Sequence, residues 1–168
     1  MKIALAQLNY TVGDVEGNAS KVIEAIEQAK QKNVDLVIFA EQALSGTPAY
    51  DLLNKATFVE LCEEELERIA EHCDSLTAIV GSPVAGDEGT VSAAVIIERG
   101  EITRRIAKQY VDYRDEMGYI HPSTGPEVIT VAGEQVAVVV GNDLVRVRDC
   151  DQSVTTIVNI NARRFRKR

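Results

Sequence analysis

Apolar runs of this sequence lead directly into Glu41, Lys108 and Gly141. A hydrolase of the glutamate–lysine–cysteine type needs one side chain of each of these three kinds, and Glu41 and Lys108 supply two of them. The third run, Val138–Val140, has the character of a buried strand that should deliver the thiol. It delivers Gly141, which has no side chain and cannot attack a carbonyl carbon.

The segments around these residues resemble those of a known family. The chain is similar to the nitrilase (carbon–nitrogen hydrolase) superfamily and, within it, to the glutaminase domain of glutamine-dependent NAD+ synthetase. The stretches that carry the resemblance are Met1–Asn9, Val12–Asp14, Gly17–Asn18, Asp35–Gly46, Pro48, Asp51–Leu53, Glu98–Ile102 with Lys108, Asp115–Glu116, Pro122 and Asn159–Ala162.

The resemblance implies an α/β fold, the α-β-β-α sandwich with mixed sheets, and roles for individual residues. Glu41 corresponds to the general base, Lys108 to the group that stabilises the oxyanion, and Glu116 to a second acidic residue near the site.

The sequence departs from the family at three places. Ala40 stands where the family usually has Pro before its glutamate, and Gly141–Asp143 stands where the family has Cys, an acidic residue and Asp. The chain ends at Arg168, where family members continue. We therefore expect a sandwich without its C-terminal elements and without a working nucleophile.

The cysteines offer one substitute nucleophile. Cys62 and Cys73 lie on or near the end of a predicted helix and are expected to fill the core. Cys150 is the thiol nearest to Gly141 in sequence, but Asp149 and Asp151 flank it, and neighbouring carboxylates raise the pKa of a thiol.

Two classes of function remain from the sequence. The first is a degenerate, non-catalytic hydrolase domain that acts in binding or assembly. It would associate with itself and hold a small amide or carboxylate. The alternative is an active amidase or glutaminase that supplies ammonia through an unrecognised nucleophile such as Cys150.

No cofactor or metal site is predicted. His72 and His121 have no ligand-like spacing to other histidines or cysteines, and there is no phosphate-cradling glycine loop.

The composition limits the expected number of domains, the partners and the cellular location. The 168 residues, 45% of them hydrophobic, are expected to form one domain over 1–168. The net charge of −8 repels phosphate and argues against nucleic acid, and the basic run 163–168 is interpreted as a solvated chain end. The apolar run at the N-terminus is too short for a signal or a membrane span, and three cysteines suit a reducing cytoplasm.

The pattern of elements predicts strand, helix and strand, followed by hairpins. A strand is expected over Lys2–Leu8, a helix from an N-cap at Asn18 to about Lys32, and a strand over Leu36–Ala40. A second helix should begin at the capping box Thr57–Glu60 and end near His72. Further strands are predicted over Thr77–Val80, Ser92–Ile97, Ile102–Ala107, Val128–Val131, Val136–Val140 and Thr155–Ile160.

Overall fold

The structure is a computed structural model that describes residues 1–111, 126–149 and 153–162. It contains strands and helices in the alternating order that the sequence predicts. The elements are β1 (Ile3–Leu5), α1 (Val15–Gln31), β2 (Leu36–Ile38), α2 (Ala56–Ala70), β3 (Thr77–Gly86), β4 (Gly89–Glu98), β5 (Glu101–Ala107), β6 (Glu127–Val131), β7 (Glu134–Val140) and β8 (Thr156–Ile160). Two 3₁₀ helices, Tyr50–Asn54 and Gly141–Asp149, complete the described elements.

Both sheets are mixed, as predicted for an α/β fold. The first has the order β1-β2-β3-β4-β5, with β1, β2 and β3 parallel and β3, β4 and β5 antiparallel. The second has the order β6-β7-β8, with β6 antiparallel and β8 parallel to β7. β2 and β8 belong to different sheets, and the segments that follow them meet where the Ala162 amide donates to Glu41.

Two apolar layers hold the elements together. Helices α1 and α2 share one core with the five-stranded sheet, through residues such as Ile26, Leu66 and Val80. A second core lies between the sheets, where Ile79 and Ile96 face Val138 and related residues. Among the described residues the layers are therefore helix, sheet and sheet, in the order expected for most of the predicted sandwich.

The first helix begins earlier than the sequence pattern predicts. Asp14, rather than Asn18, occupies the N-cap position, and its carboxylate accepts a hydrogen bond from the Gly17 amide at 3.1 Å. Asn18 lies inside the first turn with its side chain fully buried. Both residue types cap helices well, so local propensity alone does not choose between them.

The second helix also begins at a different residue from the one that the sequence predicts. It begins at Ala56, and the cap position is Lys55, which makes no side-chain capping bond. Thr57 therefore lies within the helix, and the predicted capping box does not form. Packing of Phe58, Leu66 and Ile69 against the sheet stabilises this helix instead.

The strands at one edge are shorter than predicted, and the hairpin β3–β4 is longer. β1 and β2 have three residues each, whereas β3 continues through Pro83 to Gly86. β2 pairs with β3 only as far as Ile79, so beyond it β3 has a strand on one side, where a proline is tolerated. Neither α-helix in the described ranges has the length and apolar character needed to cross a membrane.

Candidate functional site

Glu41 follows β2 in a tight turn, and its carboxylate is buried, with only 1% of the residue exposed. Oε1 accepts hydrogen bonds from Lys108 Nζ at 2.8 Å and from the Ser92 hydroxyl at 3.2 Å. Oε2 accepts from the backbone amide of Ala162 at 3.1 Å. One carboxylate thus joins the end of β2 to β4, to the residue after β5 and to the segment after β8.

Lys108 comes directly after β5 and forms the cationic half of this arrangement. Its ammonium lies 2.8 Å from Glu41 Oε1, and both side chains are almost completely buried. A buried ion pair is held only when its remaining hydrogen-bonding groups are also satisfied. The sequence prediction that Glu41 and Lys108 lie together therefore agrees with the geometry.

Ser92 is a part of the site that the sequence analysis missed. It lies on β4, is 1% exposed, donates its hydroxyl to Glu41 and accepts the Lys108 backbone amide at 2.7 Å. The available signal was a single hydroxyl residue in the apolar run Val91–Ile97. Ser92 positions both members of the ion pair, one through its side chain and the other through its backbone.

Gly141 lies beside this pair, at the start of the 3₁₀ helix that follows β7. Its φ is +54°, in the left-handed region. An ideal Cβ on this residue would lie 2.8 Å from Lys108 Nζ and 3.3 Å from Glu41 Oε2. The structure therefore brings Glu41, Lys108 and Gly141 into one cluster.

The space directly beside Gly141 is taken by a neighbouring side chain. The end of the Lys108 side chain occupies the position where a residue-141 side chain would begin. A lysine has a long flexible stem, so its ammonium can move toward a carboxylate when the neighbouring side chain is absent.

Close backbone packing supports the turn that carries Glu41. A Cβ on Gly81 would lie 2.2 Å from the carbonyl oxygens of Ala40 and Glu41. Such a distance is far inside van der Waals contact, so only glycine fits under this turn. Gly81 was not recognised from the sequence, because the close approach involves residues about forty positions away.

The remaining predicted site residues have different outcomes. Glu116, the alternative nucleophile Cys150 and His121 lie outside the described residues. Cys62 and Cys73 are buried, and burial raises the pKa of each thiol to about 12. Both thiols therefore stay protonated at neutral pH and fill the core, as predicted. Within the described ranges no three His, Cys, Asp or Glu residues are grouped so that they could hold a metal ion.

The cluster has the groups needed to bind and orient a polar group, because it combines a carboxylate and an ammonium in a buried environment. Its two opposite charges satisfy each other at 2.8 Å, and residue 141 contributes no attacking atom. A carboxylate and an ammonium, charged groups of the kinds that amide hydrolysis can use, therefore lie beside a residue that has no attacking side chain.

Comparison with known proteins identifies relatives of both the sequence and the fold. The family model described as carbon-nitrogen hydrolase matches residues 2–147. The glutamine-dependent NAD(+) synthetase of Xanthomonas campestris is 36% identical over 150 residues, covering 86% of this chain and 27% of the relative. The corresponding synthetase of Aquifex aeolicus is 32% identical over 171 residues, covering 96% of this chain and 30% of its own length.

Solved structures show the same fold. The glutamine-dependent NAD+ synthetase from Acinetobacter baumannii superposes with a TM-score of 0.85 at 21% identity, over 98% of this chain and 32% of that one. An amidase from Nesterenkonia sp. superposes with a TM-score of 0.82 at 19% identity, over 96% of this chain and 64% of the amidase. The chain thus spans less than a third of the length of the synthetases it matches.

Proposed function

This chain belongs to the carbon-nitrogen hydrolase family, and from that premise we propose that it is a glutaminase-type domain of the NAD+ synthetase lineage that has lost hydrolysis and acts in binding or assembly. The observation that carries the proposal is Gly141 beside Glu41 and Lys108. A fold keeps its shape when its chemistry is lost, so membership of the family does not itself argue for activity.

The missing side chain has a large expected effect on rate. Where a nucleophile and its partners act as a unit, removing the nucleophile alone lowers kcat by roughly 10⁶-fold. Glu41 and Lys108 cannot replace it in this arrangement, because each is engaged by the other at 2.8 Å. The carboxylate and ammonium are consistent with a site that holds a ligand rather than cleaves it.

The same pair suggests the chemical class of that ligand. A small carboxylate would exchange with Glu41 as a partner of the Lys108 ammonium, and a primary amide would donate its N–H groups to the Glu41 carboxylate. We therefore propose a small amide or carboxylate as the ligand. Titration calorimetry with glutamine and with glutamate, on the native chain and on Lys108→Met, tests this. Equal binding by both proteins would contradict it.

Ammonia release tests the loss of hydrolysis. The native chain and Glu41→Gln are incubated with glutamine and with a panel of simple amides, and we expect both to give the same background. Turnover by the native chain above the Glu41→Gln background would overturn the proposal and favour the alternative, an active amidase or glutaminase that supplies ammonia. Loss of that turnover in Cys150→Ser would then identify the unrecognised nucleophile.

We also propose that the chain self-associates and works in the cytoplasm. Exposed apolar side chains next to the site support self-association, since Leu144 and Val145 on the 3₁₀ helix after Gly141 are 47% and 72% exposed. Light scattering across a wide concentration range is expected to give at least a dimer. A constant monomer mass would contradict it.

A further inference from the structure

Asp143 is a buried carboxylate two residues beyond Gly141. The hydrogen bonds that it accepts from the described residues come from backbone amides. It is 1% exposed. Oδ2 accepts the backbone amide of Gln109 at 2.7 Å, and Oδ1 accepts the backbone amide of Tyr110 at 2.8 Å. Both oxygens of one carboxylate thus hold two successive amides of a single segment.

That segment begins immediately after Lys108. The backbone amide of Lys108 itself donates to the Ser92 carbonyl at 2.7 Å. The main chain is therefore held on one side by β4 and on the other by the 3₁₀ helix that carries Asp143. Arg146, on the same 3₁₀ helix, also donates to the side-chain oxygen of Gln109.

Anchoring of this backbone matters because of the side chain it carries. A lysine stem has four carbon atoms and many rotamers, so an ammonium is held at one point only if its backbone is fixed. Hydrogen bonds from amides to a carboxylate are charge-assisted and about twice as strong as neutral ones. Asp143 is therefore well suited to fix the point from which Lys108 reaches Glu41.

We propose that Asp143 is a positioning residue that sets the Lys108 ammonium against Glu41 and Gly141 through the amides of Gln109 and Tyr110. The inference rests on the proposed function in that it treats the Glu41–Lys108 pair as the working part of the site. Asp143 lies after β7, and Lys108 lies after β5. A substitution at Asp143 should therefore shift the Lys108 ammonium through the intervening amides of Gln109 and Tyr110.

A thiol placed at residue 141 reports the position of the ammonium. Its Cβ would lie 2.8 Å from Lys108 Nζ and 3.3 Å from Glu41 Oε2, so these are the nearest charged groups among the described residues. A nearby cation lowers the pKa of a thiol, and a displaced cation lowers it less. The pH at which the thiol ionises therefore measures where Lys108 is.

The experiment compares Gly141→Cys with Gly141→Cys/Asp143→Asn. Thiolate absorbance in the ultraviolet is followed against pH, and the native chain is subtracted as the blank. Asparagine keeps the shape but has only one acceptor oxygen, so one of the two amides loses its partner. Loss of the Asp143 charge alone would lower the ionisation midpoint of the introduced thiol, so a rise of roughly one pH unit in the double variant is the expected sign of a displaced Lys108 ammonium.

The matched control is Gly141→Cys/Asp35→Asn. Asp35 also accepts a backbone amide, that of Lys2, but lies at the opposite ends of the strands from the site. This control should leave the midpoint of the thiol unchanged. Hydrogen exchange at Gln109 and Tyr110 verifies that the Asp143 contact has been released.

An unchanged midpoint despite faster exchange at Gln109 and Tyr110 would overturn the inference, because it would make Asp143 purely structural. If Asp143→Asn does not fold, Asp143→Ser in the same background retains one acceptor and gives the same measurement. Failure of both to fold would also contradict a positioning role, since the fold itself would then depend on Asp143. Ammonia release by the native chain would contradict the proposed function but would leave this midpoint shift intact, so the two failures are distinguishable.

Discussion

The ammonium of Lys108 lies 2.8 Å from the point where a side chain on Gly141 would begin. The same ammonium is 2.8 Å from Glu41 Oε1. The end of the lysine side chain therefore borders both the Glu41 carboxylate and the position where a side chain of residue 141 would begin. The site contains a buried ion pair near the ends of strands from both sheets.

The buried ion pair between Glu41 and Lys108 leads to a prediction about stability. Lys108→Met and Glu41→Gln should each lower the free energy of unfolding by about 3–5 kcal/mol, because each leaves the other buried charge without this partner. The double variant should lose clearly less than the sum of the two single losses. Urea unfolding of the four proteins measures this.

An exposed ion pair provides the control for that cycle. Arg104 and Glu127 lie 3.2 Å apart and join β5 to β6, but they are 50% and 36% exposed. Glu127→Gln should change the free energy of unfolding by no more than about 0.5 kcal/mol. Additive effects of the Lys108 and Glu41 substitutions would show that the buried pair is not coupled.

Gly81→Ala should disturb the turn that carries Glu41. The added methyl group would lie 2.2 Å from two backbone carbonyl oxygens, and backbone cannot rotate away as a side-chain end can. We expect a loss of about 3 kcal/mol or more in the free energy of unfolding.

Gly133→Ala is the matched substitution. A Cβ there meets nothing within 4 Å, so its cost is only that of a φ of +80°, about 1–2 kcal/mol. Equal losses for the two variants in urea unfolding would show that close approach to Ala40 and Glu41 is not limiting.

How far the sequence predicts this site depends on whether a contact is local. Glu41, Lys108 and Gly141 were recognised because the segments around them resemble those of a known family, whose fold brings the ends of these apolar runs together. Ser92 was missed because its partner Glu41 is 51 residues away, and a lone hydroxyl residue in an apolar run does not indicate which residue it contacts. The close approach of Gly81 to Ala40 is equally invisible to a pattern of neighbours.

The helices and strands show the same difference between what local sequence predicts and what tertiary contacts decide. The mixed α/β order follows from periodicity, whereas the choice of Asp14 over Asn18 as cap depends on a tertiary contact. Asn18 donates to the Leu44 carbonyl at 2.8 Å, which places its side chain in the interior and leaves the cap to Asp14. The resemblance supplied the second sheet's place in the sandwich, which hairpin signals alone do not determine.

Asn18 leads to its own prediction. Its side chain also accepts the Thr11 amide at 2.8 Å and donates to the Thr11 carbonyl at 2.8 Å. Asn18→Ala should therefore cost about 3 kcal/mol, because three backbone groups lose their partner, and the Leu44 carbonyl loses it in the interior. Gln28 lies on the exposed face of the same helix, so Gln28→Ala should change the free energy of unfolding by less than about 0.5 kcal/mol. Thermal unfolding compares the two variants. Similar melting temperatures would contradict the role of Asn18 as a bridge.

The buried thiols predict a dependence on alkaline pH. Burial raises the pKa of Cys62 and of Cys73 from 9.0 to about 12. Below about pH 9 both thiols are protonated in the folded and unfolded states, so their full contribution is present. Between about pH 9 and 12 only the unfolded chain ionises, and the free energy of unfolding should fall as the pH rises.

Alkylation mapped by mass spectrometry tests the same pKa values. Cys62 and Cys73 should resist iodoacetamide at pH 8 in the native chain and react in urea. Cys62→Ala/Cys73→Ala should remove the part of the alkaline loss of stability that comes from these thiols. Rapid native-state labelling at either position would contradict the raised pKa values.

Gly141→Cys alone should not restore glutamine hydrolysis. The new Cβ forces Lys108 Nζ from a distance of 2.8 Å, and a non-glycine residue at a φ of +54° costs about 1–2 kcal/mol. The introduced thiol must also compete with Lys108 and Ser92 for the Glu41 carboxylate, which accepts three hydrogen bonds from residues in the described ranges. A base that is fully engaged removes a thiol proton poorly, and its supporting residues, Ala40 and Asn142 among them, differ from those of the family.

We expect ammonia release from Gly141→Cys to stay within a few-fold of the native background, measured beside Gly141→Ser as the control. Turnover that rises by several orders of magnitude and disappears in Gly141→Cys/Glu41→Gln would show instead that the site lacks nothing but its nucleophile.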